Sequence, residues 1–134
     1  MVVIILPMTQ MTAVVSDLAV LSKFYRGMAD PSRLAILTRL QDGEQTSGEI
    51  ASSTGLSPSN ASRHLAYLRE CGLVESRQEW RTVYYRLASG VAELLEHNAT
   101  VAADLAERIA ACENPAMKVV DVAESMQMTR TLPA

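Results

Sequence analysis

The chain has 134 residues, which is the length of one domain and leaves no room for a separate catalytic domain. Apolar residues make up 49% of the sequence and aromatic residues only 4%, a balance typical of helices packed through Leu, Val, Ile and Ala. The formal net charge of −3 taken alone argues against a nucleic-acid partner, so the placement of charge along the chain decides that question.

Residues 1–7 are apolar, but this run lacks a basic leader and is far shorter than the ~20 residues that span a bilayer. We therefore expect a cytoplasmic protein with no membrane partner. Two cysteines in such a chain indicate free thiols or metal ligands rather than a structural disulfide. We divide the chain into an N-terminal extension (1–12), a main domain (13–112) and a C-terminal tail (113–134).

Two amphipathic helices are predicted in the first third of the chain. The first covers residues 13–28, and its apolar residues at helical spacing are Val14, Leu18, Leu21 and Tyr25. The second begins at Asp30-Pro31 and is stopped by Asp42-Gly43. Its predicted core residues are Leu34, Ile36, Leu37 and Leu40.

A helix-turn-helix is predicted next. Thr46 and Glu49 have the spacing of a capping box, so a short helix begins after Thr46 and ends at Gly55. Ser57 then caps a second helix with Pro58 at its first position, where the missing N–H costs nothing. The apolar face of this helix is formed by Ala61, Leu65, Leu68 and then Cys71 or Gly72.

The pattern then changes to that of a β-hairpin. Residues 73–77 and 82–87 are rich in β-branched and aromatic residues, and residues 78–81 form the predicted connection. Helix, turn, helix and hairpin in this order predict a mainly α fold with a small β-hairpin wing, a winged helix-turn-helix. One alternative is an ordinary hairpin that covers the core, and another is a winged helix used only for protein contacts.

Local charge supports DNA as the partner. Residues 57–86 hold five arginines and three acids, whereas residues 87–129 hold two basic residues and seven acids. The basic charge therefore lies on the predicted reading helix and wing. The predicted DNA contacts are Ser57, Ser59, Asn60, Ser62, Arg63 and His64 on the helix, and Arg77 and Arg81 on the wing.

A long amphipathic helix is predicted after the hairpin. Its apolar residues recur from Val91 to Ile109, and it ends before Pro115. Together with the first helix it is well placed to form a homodimer, which presents two reading helices to two half-sites of double-stranded DNA. Alternatively, both helices close the core of a monomer.

Three segments resemble the ArsR/SmtB family of bacterial repressors, and the resemblance covers residues 13–112. They are ADPSRLAIL at 29–37, SPSNASRHLAYLRECGLV at 57–74 and RTVYYRL at 81–87. The resemblance implies a winged-helix homodimer that represses transcription at operator DNA and is released by an inducer. Trp80 departs from the family pattern, which has glycine at the wing tip.

The family's metal sites can be compared with this chain. The Cys-x-Cys pair of one site type is replaced by Thr46 and Gly48, and the zinc-type site of the C-terminal helices is absent. The CmtR-like, cadmium- and lead-responsive branch is matched in part, because Cys71 stands for its second helix cysteine and Tyr67 for the first. Cys112 stands for its third cysteine.

This resemblance implies a soft metal ion, Cd²⁺ or Pb²⁺ or in their place Zn²⁺ or As(III), bound through Cys71 and Cys112. Further candidate ligands are His97, Asp104, Glu107 and Glu113. The alternatives are that both cysteines serve as small hydrophobes, that they respond to oxidation, or that repression needs no inducer. No catalytic triad, Cys-His pair or glycine-rich phosphate loop is present, so we expect no enzyme.

Overall fold

Residues 17–114 are described by the computed structural model, and they form six helices and three short strands. The elements are α1 Leu18–Met28, α2 Pro31–Leu40, β1 Gln45–Thr46, α3 Ser47–Thr54, α4 Pro58–Glu70, β2 Val74–Glu79, β3 Thr82–Leu87, α5 Val91–Asp104 and α6 Ala106–Ala110. No helix in this part of the chain is both long and apolar enough to cross a membrane. Three predicted parts of the chain lie outside residues 17–114. They are the extension (1–12), the helix start at residue 13 with Val14, and residues 115–134 of the tail.

The predicted helix boundaries of the helix-turn-helix are confirmed by their hydrogen bonds. The Thr46 hydroxyl accepts from the Glu49 N–H at 3.2 Å, and the Glu49 carboxylate accepts from the Thr46 N–H at 3.3 Å. At the end of α3, Gly55 has a φ of 75°, a left-handed conformation that lets the chain turn sharply into α4. Ser57 caps α4 by accepting from the Asn60 N–H at 3.2 Å.

The wing is the outer part of a three-stranded antiparallel sheet with the order β1-β3-β2. Gln78 pairs with Val83 and Glu79 pairs with Thr82, so only Trp80 and Arg81 connect the strands. The predicted connection over 78–81 was therefore wrong, because polar residues at 78 and 79 continue the ladder on the solvent side. Strand β1 was not predicted, since two residues are too few to show a β-pattern.

The core lies between α2, α3, α4 and the base of the sheet. Its buried side chains are Met28, Ile36, Leu37, Leu40, Ile50, Ala51, Leu56, Ala61, Leu65, Leu68, Leu73, Val74 and Val91. Leu34 was predicted to belong to this core and is instead 41% exposed. The physical reason is that Ile36, Leu37 and Leu40 define the buried face of α2, and Leu34 lies to the side of that face.

The predicted long C-terminal helix is interrupted at Leu105, which has φ −100° and ψ 2° and separates α5 from α6. From residue 96 onward every residue of both helices is exposed, so no core contact holds them on one axis. Their apolar side chains Val101, Leu105 and Ile109 therefore face solvent within the single chain. A second exposed apolar set on α1 comprises Leu18, Val20, Leu21 and Tyr25.

Gly27 lets α1 approach the turn after α4 closely. A Cβ at Gly27 would lie 2.8 Å from Leu73 Cδ1 and 3.2 Å from Cys71 Cβ, and Leu73 is fully buried. We expect Gly27→Ala to lower the urea midpoint, because about 1–3 kcal/mol of overpacking exceeds the gain of about 1 kcal/mol in helix propensity. Gly48→Ala is the control, since its Cβ would meet nothing closer than 3.9 Å. Equal stability of the two variants would contradict this packing.

Candidate nucleic-acid interface

Helix α4 has one buried face and one exposed face. Ala61, Leu65 and Leu68 are completely buried against the core. On the other side an exposed row at helical spacing runs along the helix, and we call it the α4 stripe: Ser59, Ser62, Arg63, Ala66 and Arg69. Small side chains and two arginines on one face allow close approach to a polyanion, with Ala66 adding no bulk at the centre.

The N-terminus of α4 adds hydrogen-bonding groups to this stripe. The Ser57 and Ser59 hydroxyls lie 3.4 Å apart at the end of the helix where backbone N–H groups and the helix dipole attract anions. Asn60 is only 6% exposed, and its Oδ1 accepts a hydrogen bond from the Arg63 guanidinium. The structure therefore places Asn60 behind Arg63, where it orients the arginine.

His64 is half-buried beside the α4 stripe. Burial lowers the pKa of its imidazole below the ordinary value, and Asp30 opposes that shift while Arg33 and Arg63 add to it. Burial therefore favours the neutral imidazole, which can donate a hydrogen bond from one ring nitrogen and accept one at the other.

Arg77 is held by acidic side chains at the base of the wing. Its guanidinium donates to both carboxylate oxygens of Glu44, at 2.6 Å for Nη2 and 2.9 Å for Nε, and to Glu79 at 2.8 Å. It also stacks on the Tyr84 ring, 4.4 Å from the centroid. Arg77 lowers the pKa of Glu44, chiefly through their hydrogen bonds, so this carboxylate stays ionised. The pairing fixes the wing to the loop after α2 and neutralises the charge of Arg77.

The remaining arginines of this region differ in whether a carboxylate pairs with them. Arg86 pairs with Glu75 at 3.0 Å. Within residues 17–114, no carboxylate forms an ion pair with Arg63, Arg69 or Arg81. Arg69 was not among the predicted contacts, although its spacing from Ser62 and Ala66 placed it on the same face. Its Nη1 donates to the Ser76 hydroxyl at 3.2 Å and thereby joins α4 to β2.

The two cysteines lie in different surroundings. Cys71 is half-buried at the end of α4, and Cys112 is exposed after α6. The residues described here contain no cluster of three or more His, Cys, Asp or Glu side chains that could hold a metal ion. The four further candidate ligands all lie exposed on or after α5 and α6: His97, Asp104, Glu107 and Glu113. A complete ligand set therefore needs side chains from outside this part of one chain.

Tyr67 occupies the position at which the cadmium- and lead-responsive branch has its first helix cysteine. Its ring lies under the Arg33 guanidinium, 4.4 Å from the centroid. Arg33 in turn donates to the carbonyl oxygens of Gly27 at 2.8 Å and Arg26 at 3.0 Å, which caps the end of α1. Arg33 therefore joins α1 to α4, and its positive charge disfavours the binding of a second cation near Tyr67.

The helices α3 and α4 with the turn between them, and the wing that follows, define a winged helix-turn-helix protein. Residues 30–76 match the family of the bacterial regulatory protein arsR. The regulator CmtR of Mycobacterium tuberculosis is 47% identical over 68 residues, which are 51% of this chain and 58% of CmtR, less than two thirds of its length.

Two further comparisons extend over more of the chain. A protein of Streptomyces lividans named as a probable mercury resistance operon repressor is 35% identical over 92 residues, 68% of this chain and 74% of that protein. A homodimeric winged helix-turn-helix DNA-binding domain from Mycobacterium bovis matches with a TM-score of 0.66 and 35% identity, covering 70% of this chain and 88% of that one. The chain belongs to the ArsR family of bacterial regulatory proteins.

Proposed function

We propose that this protein is a homodimeric transcriptional repressor that binds operator DNA through the α4 stripe and the wing. The observation that carries this proposal is the set of three arginines, Arg63, Arg69 and Arg81, that no carboxylate pairs with in residues 17–114. Two of them lie on the exposed face of a helix whose opposite face is completely buried. A helix anchored in this way can enter the major groove without leaving its own core.

The contacts divide by chemistry. Ser59, Ser62 and Arg63 occupy the N-terminal half of the α4 stripe, the part of a recognition helix that reaches base edges. Arg69 near the end of α4 and Arg81 at the wing tip suit phosphate oxygens, which position the protein without reading sequence. Among the predicted contacts, Arg77 serves instead to hold the wing to Glu44. The net negative charge of the whole chain is consistent with this arrangement, because residues 57–86 hold five arginines against three acids.

Homodimerisation follows from the exposed apolar side chains of α1, α5 and α6. Leu21 and Tyr25 on α1 and Leu105 and Ile109 on the C-terminal helices are all exposed in the single chain. Between α2 and α5 lies a groove of about 870 Å³, lined by Leu34, Leu95 and Ala99 among others. Exposed apolar side chains clustered in this way mark a protein interface. A dimer with twofold symmetry would place its two α4 helices about one DNA turn apart.

For the inducer we propose a thiophilic metal ion bound by Cys71 and Cys112 across the dimer. Similarity to CmtR and to the mercury resistance repressor supports thiolate chemistry. Cys71 contacts the α1 side of the fold, since a Cβ on Gly27 would lie 3.3 Å from its sulfur. A ligand on this sulfur would therefore push on α1, twist the dimer and misplace both reading helices. Oxidation of the same thiols and repression without any inducer are the competing possibilities.

The cysteine assignment is tested by operator-fragment anisotropy with reduced protein and added Cd²⁺, Pb²⁺, Zn²⁺, As(III) or Ni²⁺. We expect the thiophilic ions, but not Ni²⁺, to release the wild-type protein, because Ni²⁺ prefers harder donors. Cys71→Ser and Cys112→Ser should each bind DNA within about 3-fold of wild type and lose the response to Cd²⁺, since a serine hydroxyl does not ligate soft ions.

Different outcomes separate the alternatives. Release by peroxide or diamide alone, lost in the same two variants, would replace the metal ion by oxidation as the signal. Full release of Cys112→Ser by Cd²⁺ would exclude Cys112 from the site. Binding that no ion and no oxidant changes would contradict a thiol inducer altogether.

A further inference from the structure

Trp80 lies at the tip of the wing, outside the hydrophobic core of the described part of the chain. It is the single tryptophan of the protein, and it is 83% exposed. The aromatic side chains of β3, Tyr84 and Tyr85, are partly buried. An indole left in water forgoes the roughly 2 kcal/mol that burial of a large apolar side chain provides, so packing does not account for a tryptophan here.

The backbone at this position also disfavours a tryptophan. Trp80 has a φ of 56°, and within residues 17–114 it is the one non-glycine residue with a positive φ. Side chains with a Cβ pay about 1–2 kcal/mol in this left-handed region, whereas glycine enters it freely. The Gln78 amide donates to the Trp80 carbonyl oxygen at 3.1 Å and holds the turn in this shape. The wing tip therefore holds a tryptophan although the exposure of its indole to water and its positive φ are both unfavourable.

The neighbour of Trp80 supplies a cation that pairs with no carboxylate among residues 17–114. The Arg81 guanidinium lies over the indole, 5.0 Å from the ring centroid. One apolar ring and one adjacent positive charge match the alternation of deoxyribose and phosphate along a nucleic-acid strand. They match an apolar protein pocket less well, because burying Arg81 there would leave its charge unpaired.

Side-chain contacts connect the wing to α4 and to the loop after α2. Arg69 on α4 donates to the Ser76 hydroxyl on β2 at 3.2 Å, and the Arg77 guanidinium on β2 donates to both carboxylate oxygens of Glu44. A duplex that lies along α4 therefore has the wing beside it, because Arg69 joins this helix to β2.

We propose that Trp80 and Arg81 together clamp the DNA backbone beside each half-site. This inference rests on the proposed function. The indole contacts deoxyribose groups at the edge of the minor groove, and Arg81 binds the neighbouring phosphate. The contact raises affinity for operator and for unrelated duplex alike, because sugars and phosphates carry no sequence information. The tryptophan that replaces the family's glycine at the wing tip thus provides an additional contact that does not depend on DNA sequence.

The single tryptophan allows a direct test. Unlabelled operator is titrated into the full-length protein while indole emission is recorded, and a parallel titration uses anisotropy of labelled operator. We expect emission to be quenched in step with the anisotropy and to saturate at the same stoichiometry. Saturated anisotropy with unchanged emission would overturn the clamp and leave the proposed function intact. No anisotropy change with any duplex would instead reject the proposed function and the clamp together.

A second experiment compares the DNA affinities of protein variants on full and shortened duplexes. Trp80→Gly removes the ring and relieves the positive φ, so its Tm should equal or exceed that of wild type while its affinity falls about 10-fold on operator and unrelated DNA. An operator trimmed of its flanks should bind wild type and Trp80→Gly equally. A 10-fold loss that persists on the trimmed duplex would contradict the clamp, as would wild-type affinity of Trp80→Gly on the full operator. Arg86→Ala is the control, because Arg86 pairs with Glu75.

Discussion

Leu21→Glu is expected to convert the dimer to a monomer and to lower operator affinity at least about 100-fold. Leu21 is exposed on α1, so the substitution leaves the core of the single chain unchanged. In the dimer the new carboxylate would be buried among apolar side chains without a partner, which costs several kcal/mol. A monomer also loses the gain from two linked half-sites, which is commonly 10²- to 10⁴-fold.

Ala19→Glu is the matched control for this substitution. It adds the same charge to the same helix at an exposed position away from the row of Leu18, Leu21 and Tyr25. Sedimentation equilibrium should give a dimer for Ala19→Glu and a monomer for Leu21→Glu, with native circular dichroism for both. A Leu21→Glu protein that remains dimeric and binds operator like wild type would remove α1 from the interface.

Arg63→Ala is expected to lower operator affinity at least about 30-fold and to reduce the preference for operator over unrelated DNA. A well-aligned arginine–base contact is worth about 1–3 kcal/mol, and a homodimer loses it twice. Asn60 holds Arg63 on the exposed face of α4 and orders it before DNA binds. The side chain is exposed, but its removal takes a hydrogen-bond donor from the buried Asn60, so the free energy of unfolding should fall by about 1 kcal/mol.

Substitutions of two other arginines distinguish the loss of a base contact from the loss of positive charge. Arg81→Ala should weaken operator and unrelated DNA by the same factor and reduce the slope of log K against log salt by about 1 per contact. Arg86→Ala removes an equal charge from an ion pair with Glu75 and should stay within about 3-fold of wild type. If Arg63→Ala were indistinguishable from Arg86→Ala in anisotropy titrations, α4 would not be the reading helix.

Local chemistry made the helix-turn-helix predictable from the sequence. The capping box of Thr46 and Glu49, the cap at Ser57 and the stop at Gly55 each depend on residues within four positions of one another. The buried face of α4 follows from the same short-range spacing. These features are confirmed because helix ends and helix faces are determined mainly by neighbours along the chain.

Features that depend on distant residues were not predictable in this way. Glu44 neutralises Arg77 from 33 positions away, a pairing that residue spacing along the chain does not reveal. Strand β1 exists because it adds to β3, and its two residues show no pattern of their own. The exposure of Leu34 and the interruption at Leu105 likewise depend on which side chains the rest of the fold covers.

Operator binding as a function of salt tests the proposed function most directly. Reduced protein is titrated into labelled DNA from upstream of its own gene and into an unrelated duplex, at salt concentrations from about 50 to 200 mM. A DNA-binding repressor will saturate the upstream fragment at one dimer per site, bind the unrelated duplex at least about 10³-fold more weakly, and lose affinity steeply with salt. Absence of salt-sensitive affinity for either duplex would contradict the proposal and indicate a winged helix that binds protein partners.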